Sequence, residues 1–158
     1  MMLVVVWLHL LAAFVWIGGM LFLSLVVVPS LRTPALAPQR GPIFKTLGRR
    51  FRPLVWTAIA VLLTTGPILL LLRGMSLLTP DAWPTVLVLK LSLVGLLFTL
   101  TLLHDIWLGP RLGFIQQRPE EARSATDRAL LRWAPWIPRL SLLIALGIAA
   151  AGLALARI

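Results

Sequence analysis

The chain has 158 residues, of which 59% are hydrophobic, and its mean hydropathy is +0.96. Soluble domains average about 45–50% apolar residues, so this composition excludes an ordinary soluble domain and favours a membrane protein. Cysteine is absent from the sequence, which excludes disulfides, thiolate metal sites and cysteine nucleophiles.

Four apolar runs follow one another along the chain, and about 20 apolar residues suffice for a helix that crosses a bilayer. Backbone polar groups in lipid must be satisfied within the chain, so these runs are expected to be helices. Pro119 with Glu120 and Glu121 suits the start of a further, surface-lying helix. We therefore predict an all-α integral membrane protein with one four-transmembrane-helix domain over residues 1–158, with spans at about 3–29, 54–72, 84–109 and 139–156 and a surface helix at about 119–133.

The net charge of +10 is distributed unevenly along the chain. Basic residues cluster between the first two runs and between the last two, whereas the middle connection holds only Arg73 and Asp81. By the positive-inside rule, both basic loops are cytoplasmic and the N and C termini lie outside. The pattern predicts a multi-pass protein of the inner (cytoplasmic) membrane whose basic residues contact membrane lipids, and it argues against nucleic-acid binding.

Ionisable residues within the apolar runs are costly and therefore mark candidate functional sites. They are His9, Lys90, and His104 beside Asp105. At 1.5 Å per residue, His9 lies ~12 Å and Lys90 ~9 Å from the outer ends of their helices, whereas His104 lies ~30 Å along its helix. His9 and Lys90 are thus expected to share a level in the membrane. His104 is expected to be structural or the ligand of a separate metal site.

An imidazole among apolar side chains, without a nearby carboxylate, suits an axial ligand of haem iron. Ala13 and Trp16 fall on the face of the helix that carries His9. Lys90 could then bind a haem propionate, or ligate the iron as a second ligand in its deprotonated form, which burial favours. Two alternatives remain open: thioethers and imidazole also bind Cu(I), and methionines lie near the outer side at Met1, Met2 and Met75; a membrane histidine can also simply hydrogen-bond between helices.

The stretch "HLLAAFVWIGGMLFLSLVVVP" resembles the first helix of the copper-resistance protein D (CopD-like) membrane family and of HemJ-type protoporphyrinogen oxidases. The shared pattern is a histidine, a tryptophan seven residues later and a small-residue pair, here His9, Trp16, Gly18 and Gly19. "LKLSLVGLLFTLTLLH" is similar to the HemJ-type third helix. The resemblance implies a four-helix membrane protein that binds b-type haem, with functional roles for His9 and Lys90.

These observations predict a haem b-binding protein for electron transfer or porphyrin-linked oxidation near the outer leaflet, in the manner of an oxidoreductase. The alternatives are copper import or copper handling, and a membrane assembly subunit without a cofactor. The expected partners are membrane lipids, a quinone or redox partner protein, and a second copy of the chain in a homodimer. The predicted cofactor-binding residues are His9, Lys90, Trp16, Ala13 and Gly19, with His9 and Lys90 as metal ligands and His104 at a separate site.

Overall fold

The computed structural model describes residues 1–76 and 78–157, and over these residues the chain forms helices and no strands. Four stretches are long and apolar enough to cross a membrane, the last being formed by two consecutive helices. The prediction of a helical chain with four stretches able to span a membrane is therefore confirmed, whereas the orientation of the termini and loops stays a prediction. The helices are α1 (Met2–Ser30), α2 (Arg40–Leu72), α3 (Thr85–Gln116), α4 (Ala125–Trp133) and α5 (Trp136–Leu155).

The chain divides into two compact units, hairpin 1 (Met1–Trp83) and hairpin 2 (Pro84–Ile158). In hairpin 1, α1 packs against α2; in hairpin 2, α3 packs against α5. Large apolar side chains on the outer faces of the helices are exposed, as expected for surfaces that contact lipid. The prediction of a single domain over residues 1–158 stays a prediction. The buried residues of the hairpin cores include Ala12, Trp16, Ala58, Ile59 and Thr65 in hairpin 1, and Leu87, Leu97, Ile144, Ala145 and Ala151 in hairpin 2.

Helix α2 begins at Arg40, well before the predicted start near residue 54. Its 33 residues correspond to ~50 Å, which exceeds the ~30 Å of hydrocarbon in a bilayer. The apolar run marked only the part suited to lipid, and the helix continues through the basic segment that precedes it. Pro53 and Pro67 both lie inside the helix.

The surface helix α4 begins at Ala125 and not at Pro119. Ser124 caps it: the Asp127 N–H donates to Ser124 Oγ, and the Ser124 N–H donates to the Asp127 carboxylate, each at 3.1 Å. This reciprocal pair satisfies two backbone donors at once, which the acidic residues after Pro119 do not achieve. Those residues form a separate 3₁₀ turn, Glu120–Ala122. Helix α3 also runs further than predicted, to Gln116 instead of residue 109.

The first helix of each hairpin contains one wide π-helical turn, Leu23–Val27 in α1 and His104–Leu108 in α3. In both cases a proline follows two residues later, Pro29 or Pro110. Proline has no N–H to donate, and its ring crowds the carbonyl four residues earlier. A π turn widens the helix at that point, so the proline and the wide turn belong together.

The orientation of the hairpins is open to a direct test, because the sequence contains no native cysteine. Gln39 precedes α2, Gln117 follows α3, and Ser76 follows α2; all three are exposed. We expect Gln39→Cys and Gln117→Cys to be shielded from an impermeant thiol reagent added outside the cell, and Ser76→Cys to react. Permeabilised membranes, in which all three should react, provide the control. Reversed labelling would contradict the predicted orientation.

Candidate functional site

His9 of α1 contacts α2 through a side-chain hydrogen bond with Thr65: His9 Nδ1 lies 2.7 Å from Thr65 Oγ1. His9 is half-buried, and the Thr65 side chain is buried in the core of hairpin 1. Ala12 and Trp16, on the two turns of α1 that follow His9, are buried as well. The imidazole is therefore held within the helix pair.

The second contact of Thr65 decides which imidazole nitrogen carries the proton. Thr65 Oγ1 also lies 2.6 Å from the Val61 carbonyl oxygen, one turn earlier in α2. A carbonyl oxygen can only accept, so the single hydroxyl proton of Thr65 is donated to Val61. Thr65 Oγ1 must then accept from His9, which places the imidazole proton on Nδ1. The lone pair of the neutral ring is consequently on Nε2, the arrangement in which a second partner orients a metal-binding histidine.

Gly66 lies beside the imidazole. A Cβ added at Gly66 would lie 3.9 Å from His9 Cε1, an ordinary van der Waals distance, so the ring packs against this position of α2. Thr65 and Gly66 are consecutive, and both meet the His9 side chain.

Thr65 is the functional residue that the sequence pattern did not identify. The adjacent Thr64 bonds to backbone oxygens of its own helix: Thr64 Oγ1 lies 3.0 Å from the Ala60 and the Val61 carbonyl oxygens. The signal that could have separated them is the face of the helix, because Thr65 falls seven residues, or two helical turns, after the buried Ala58, on the same side of α2.

The other predicted residues of α1 lie on the side that faces α2. Trp16 is buried and Ala13 is half-buried. A Cβ added to Gly19 would overlap the Phe51 ring, so this glycine permits close packing of α1 and α2. The contact gives Gly19 a packing role; its predicted role in cofactor binding stays a prediction, as do those of Trp16 and Ala13.

Three methionines lie at the end of hairpin 1 that is nearest to His9. Met1 and Met2 start α1, and His9 is seven residues further, or ~10 Å along the helix. Met75 follows the end of α2, where Gly74 adopts a φ of 74° and the Met75 N–H donates to the Leu70 carbonyl at 3.0 Å. This Schellman-type ending turns the chain back over the last turn of α2. Three thioethers and one imidazole therefore belong to the same end of the hairpin.

Lys90 of α3 belongs to hairpin 2 and is half-buried there. A Cβ added at Gly152 of α5 would lie 3.4 Å from Lys90 Nζ, so the amine lies against this glycine. His104 opens the π turn of α3, and its side chain is exposed. The prediction that His9 and Lys90 share one site, and that His104 belongs to another, stays a prediction.

Within the part of the chain that the structure describes, no three His, Cys, Asp or Glu side chains are grouped to hold a metal ion. In the comparison with protein families, the family described as copper resistance protein D matches residues 45–155, more than half of the 158 residues. The chain belongs to the CopD family.

The matched region of this CopD-family protein begins within α2 and ends with α5, so it includes Thr65 and Lys90 but not His9. The resemblance to the CopD family seen in the sequence is confirmed. The HemJ-type oxidases are a related family, and the resemblance of this chain to them stays a prediction. The chain is also 30% identical over 141 residues to an uncharacterized protein of Aquifex aeolicus (strain VF5), which covers 88% of this chain and 84% of the relative. No solved structure matches the chain.

Proposed function

We propose that this CopD-family protein binds Cu(I) within the membrane and passes it on as cargo, with His9 Nε2 as the nitrogen ligand. The observation that carries the proposal is the chain of hydrogen bonds from His9 Nδ1 to Thr65 Oγ1 at 2.7 Å and onward to the Val61 carbonyl at 2.6 Å. This chain of hydrogen bonds leaves Nε2 as the imidazole nitrogen with a lone pair for a metal ion, and it holds the ring in one orientation.

The imidazole of His9 and the thioethers at the same end of hairpin 1 fit Cu(I) better than a hard cation. Imidazole suits copper, and thioethers select its reduced form, whereas calcium and magnesium prefer several carboxylate or carbonyl oxygens. Met1, Met2 and Met75 supply three sulfur atoms at the near end of hairpin 1. We infer that these methionines collect the ion and that His9 receives it about two helical turns deeper.

The direction of movement follows from the predicted orientation. If the basic loops are cytoplasmic, the methionine end of hairpin 1 faces outward, and copper enters from outside towards His9. A few sulfur and nitrogen ligands, without thiolates, bind Cu(I) weakly enough to release it, as a transport route requires. Thr65 and Gly66 keep the ring in place while the ion arrives and leaves.

We also propose that the basic ends of the hairpins bind anionic lipid headgroups, each basic residue near the surface contributing about 1 kcal/mol. Four arginines lie over aromatic rings at distances of 4.5 to 5.9 Å between the guanidinium carbon and the ring centre. Such pairs place a cation beside an aromatic ring, and two of the rings are tryptophans, which are enriched at membrane interfaces. The pairs are Arg40 with Phe44, Arg111 with Trp107, Arg118 with Phe114 and Arg139 with Trp136.

Haem b and oxidoreductase activity were the first prediction from the sequence, and copper was the alternative. The family description supports the copper alternative and gives no support to haem. His9 Nε2 could ligate either, so the experiment must measure both. Purified protein is titrated with Cu(I) against a competing chelator, and its visible spectrum is recorded. We expect one Cu(I) per chain and no Soret band; a Soret band that depends on His9, without copper binding, would overturn the proposal.

A further inference from the structure

We propose that hairpin 2 is a second copy of hairpin 1, and that Lys90 with Gly152 is the counterpart of the His9 site. The sequence alone shows no long repeat, because the residue types of the two copies differ. The equivalence is visible in helix geometry, in the burial pattern and in one pair of contacts. It implies that hairpin 2 retains the framework of an imidazole site for a soft metal ion.

Helix geometry relates α1 to α3 by a constant shift of 81 positions. The π turn Leu23–Val27 becomes His104–Leu108, and Pro29 becomes Pro110. Under the same shift, His9 becomes Lys90. A shift of one helical turn would preserve the apolar face of the helix but would misplace both the π turn and the proline. The register is therefore fixed by features that do not depend on hydrophobic periodicity.

The burial pattern gives the same register independently. Every exposed residue from 5 to 22 has an exposed counterpart between 86 and 103, and every residue that is half-buried or buried has a counterpart that is half-buried or buried. The second helices agree in the same way over residues 51 to 69 and 137 to 155, which are 86 positions apart. The buried pair Ala58 and Ile59 corresponds to the buried pair Ile144 and Ala145. The greater shift for the second helices reflects the longer connection in hairpin 2.

The two shifts together make one contact coincide. Gly66 corresponds to Gly152, and each lies against the tip of a polar side chain from the first helix: His9 Cε1 at 3.9 Å from a Cβ built at Gly66, and Lys90 Nζ at 3.4 Å from a Cβ built at Gly152. The shift of 81 positions that relates His9 to Lys90 comes from comparing α1 with α3, and the shift of 86 positions that relates Gly66 to Gly152 comes from comparing α2 with α5. These two separate comparisons lead to the same pair of contacts, which is the strongest support for the proposal.

One difference between the copies fits the change of side chain. Thr65 corresponds to Ala151, and both are buried. An imidazole needs an acceptor at Nδ1 to fix its tautomer, whereas a lysine amine has no tautomer to fix. The hydroxyl is therefore present where histidine is present and missing where lysine replaces it. The framework of hairpin 2 should accept an imidazole with the same tautomer once both residues are restored.

The test is the double variant Lys90→His/Ala151→Thr, studied in the full chain in lipid nanodiscs with ¹⁵N-labelled histidine. The NMR spectrum of the imidazole nitrogens reports the tautomer directly and requires no copper. We expect the histidine at position 90 to carry its proton on Nδ1, as His9 does. In the single variant Lys90→His, which has no hydroxyl at position 151, this preference should be lost. The His9 signals should remain unchanged in both variants.

Two results would overturn the inference. One is a histidine at position 90 whose tautomer is the same with Ala151 as with a threonine there. The other is a double variant that fails to fold while Lys90→His folds, because position 151 would then have no room for the hydroxyl that its counterpart carries.

The part of the inference that concerns metal binding rests on the proposed function and is measured separately. If the wild-type protein binds one Cu(I), the double variant should bind two. A second bound Cu(I) in the single variant Lys90→His, which lacks the hydroxyl, would contradict the role of position 151. Wild-type protein that binds no Cu(I) would refute the proposed function, while the tautomer result would still decide whether the hairpins are equivalent.

Discussion

Replacing His9 by alanine is expected to abolish specific Cu(I) binding while the protein still inserts into the membrane. The substitution removes the nitrogen ligand that the hydrogen bond with Thr65 orients. The methionine sulfurs that remain would bind Cu(I) too weakly to compete with a chelator. The measurement is Cu(I) competition on purified protein, together with copper content after expression in copper-supplemented cells.

His104→Ala is the matched control for His9→Ala. His104 is the other histidine of the chain and also lies in a membrane-spanning helix, but its side chain is exposed at the π turn of α3. We expect this variant to bind Cu(I) as the wild type does. Equal loss of binding in both variants would show that His9 has no special part, and full binding in His9→Ala would exclude it as the ligand.

Replacing Thr65 by valine is expected to weaken Cu(I) binding about 10- to 100-fold, the usual cost of removing a residue that orients a metal ligand. Valine keeps the shape of threonine but cannot accept the His9 Nδ1 proton. The ring then loses both its fixed orientation and its preference for the tautomer with Nε2 as the ligand. Chelator competition gives the affinity, and ¹⁵N NMR of His9 gives the tautomer in the same sample.

Two threonine variants separate this effect from a general loss of packing. Thr65→Ser keeps the hydroxyl and should retain most of the affinity. Thr64→Val removes the neighbouring hydroxyl, which is exposed and bonds only to backbone carbonyls of α2 in the contacts described above. We expect little change in affinity for Thr64→Val. An affinity loss for Thr64→Val as large as that for Thr65→Val would contradict the tautomer argument.

The sequence predicts the helical class and the four spans because long apolar runs have only one stable backbone structure in lipid. It predicts the helix ends less well, since hydropathy marks the segment suited to lipid and not the end of hydrogen bonding. Helix α2 illustrates this difference, because its basic first third is as helical as the rest. The start of α4 depends on the reciprocal hydrogen bonds of Ser124 and Asp127. The sequence also offers Glu120 and Glu121 as a plausible helix start, and it does not show which of the two starts the chain adopts.

The candidate site shows a similar division. His9 is visible in the sequence because an ionisable residue in an apolar run is costly. Thr65 is not, because threonine in a membrane helix ordinarily bonds to its own backbone, and only the packing of α1 on α2 shows which of two adjacent threonines meets the ring. The equivalence of Lys90 and His9 also depends on the structure, since the two copies share π turns and burial but few residue types.

The central claim, that His9 Nε2 is a copper ligand, is tested most directly by X-ray absorption spectroscopy of the Cu(I)-loaded protein. The account predicts an edge typical of Cu(I) and a first shell that contains one imidazole nitrogen. The imidazole contribution should disappear in His9→Ala and persist in His104→Ala. A shell of sulfur or oxygen alone in the wild-type protein, or an imidazole signal that survives the loss of His9, would contradict it.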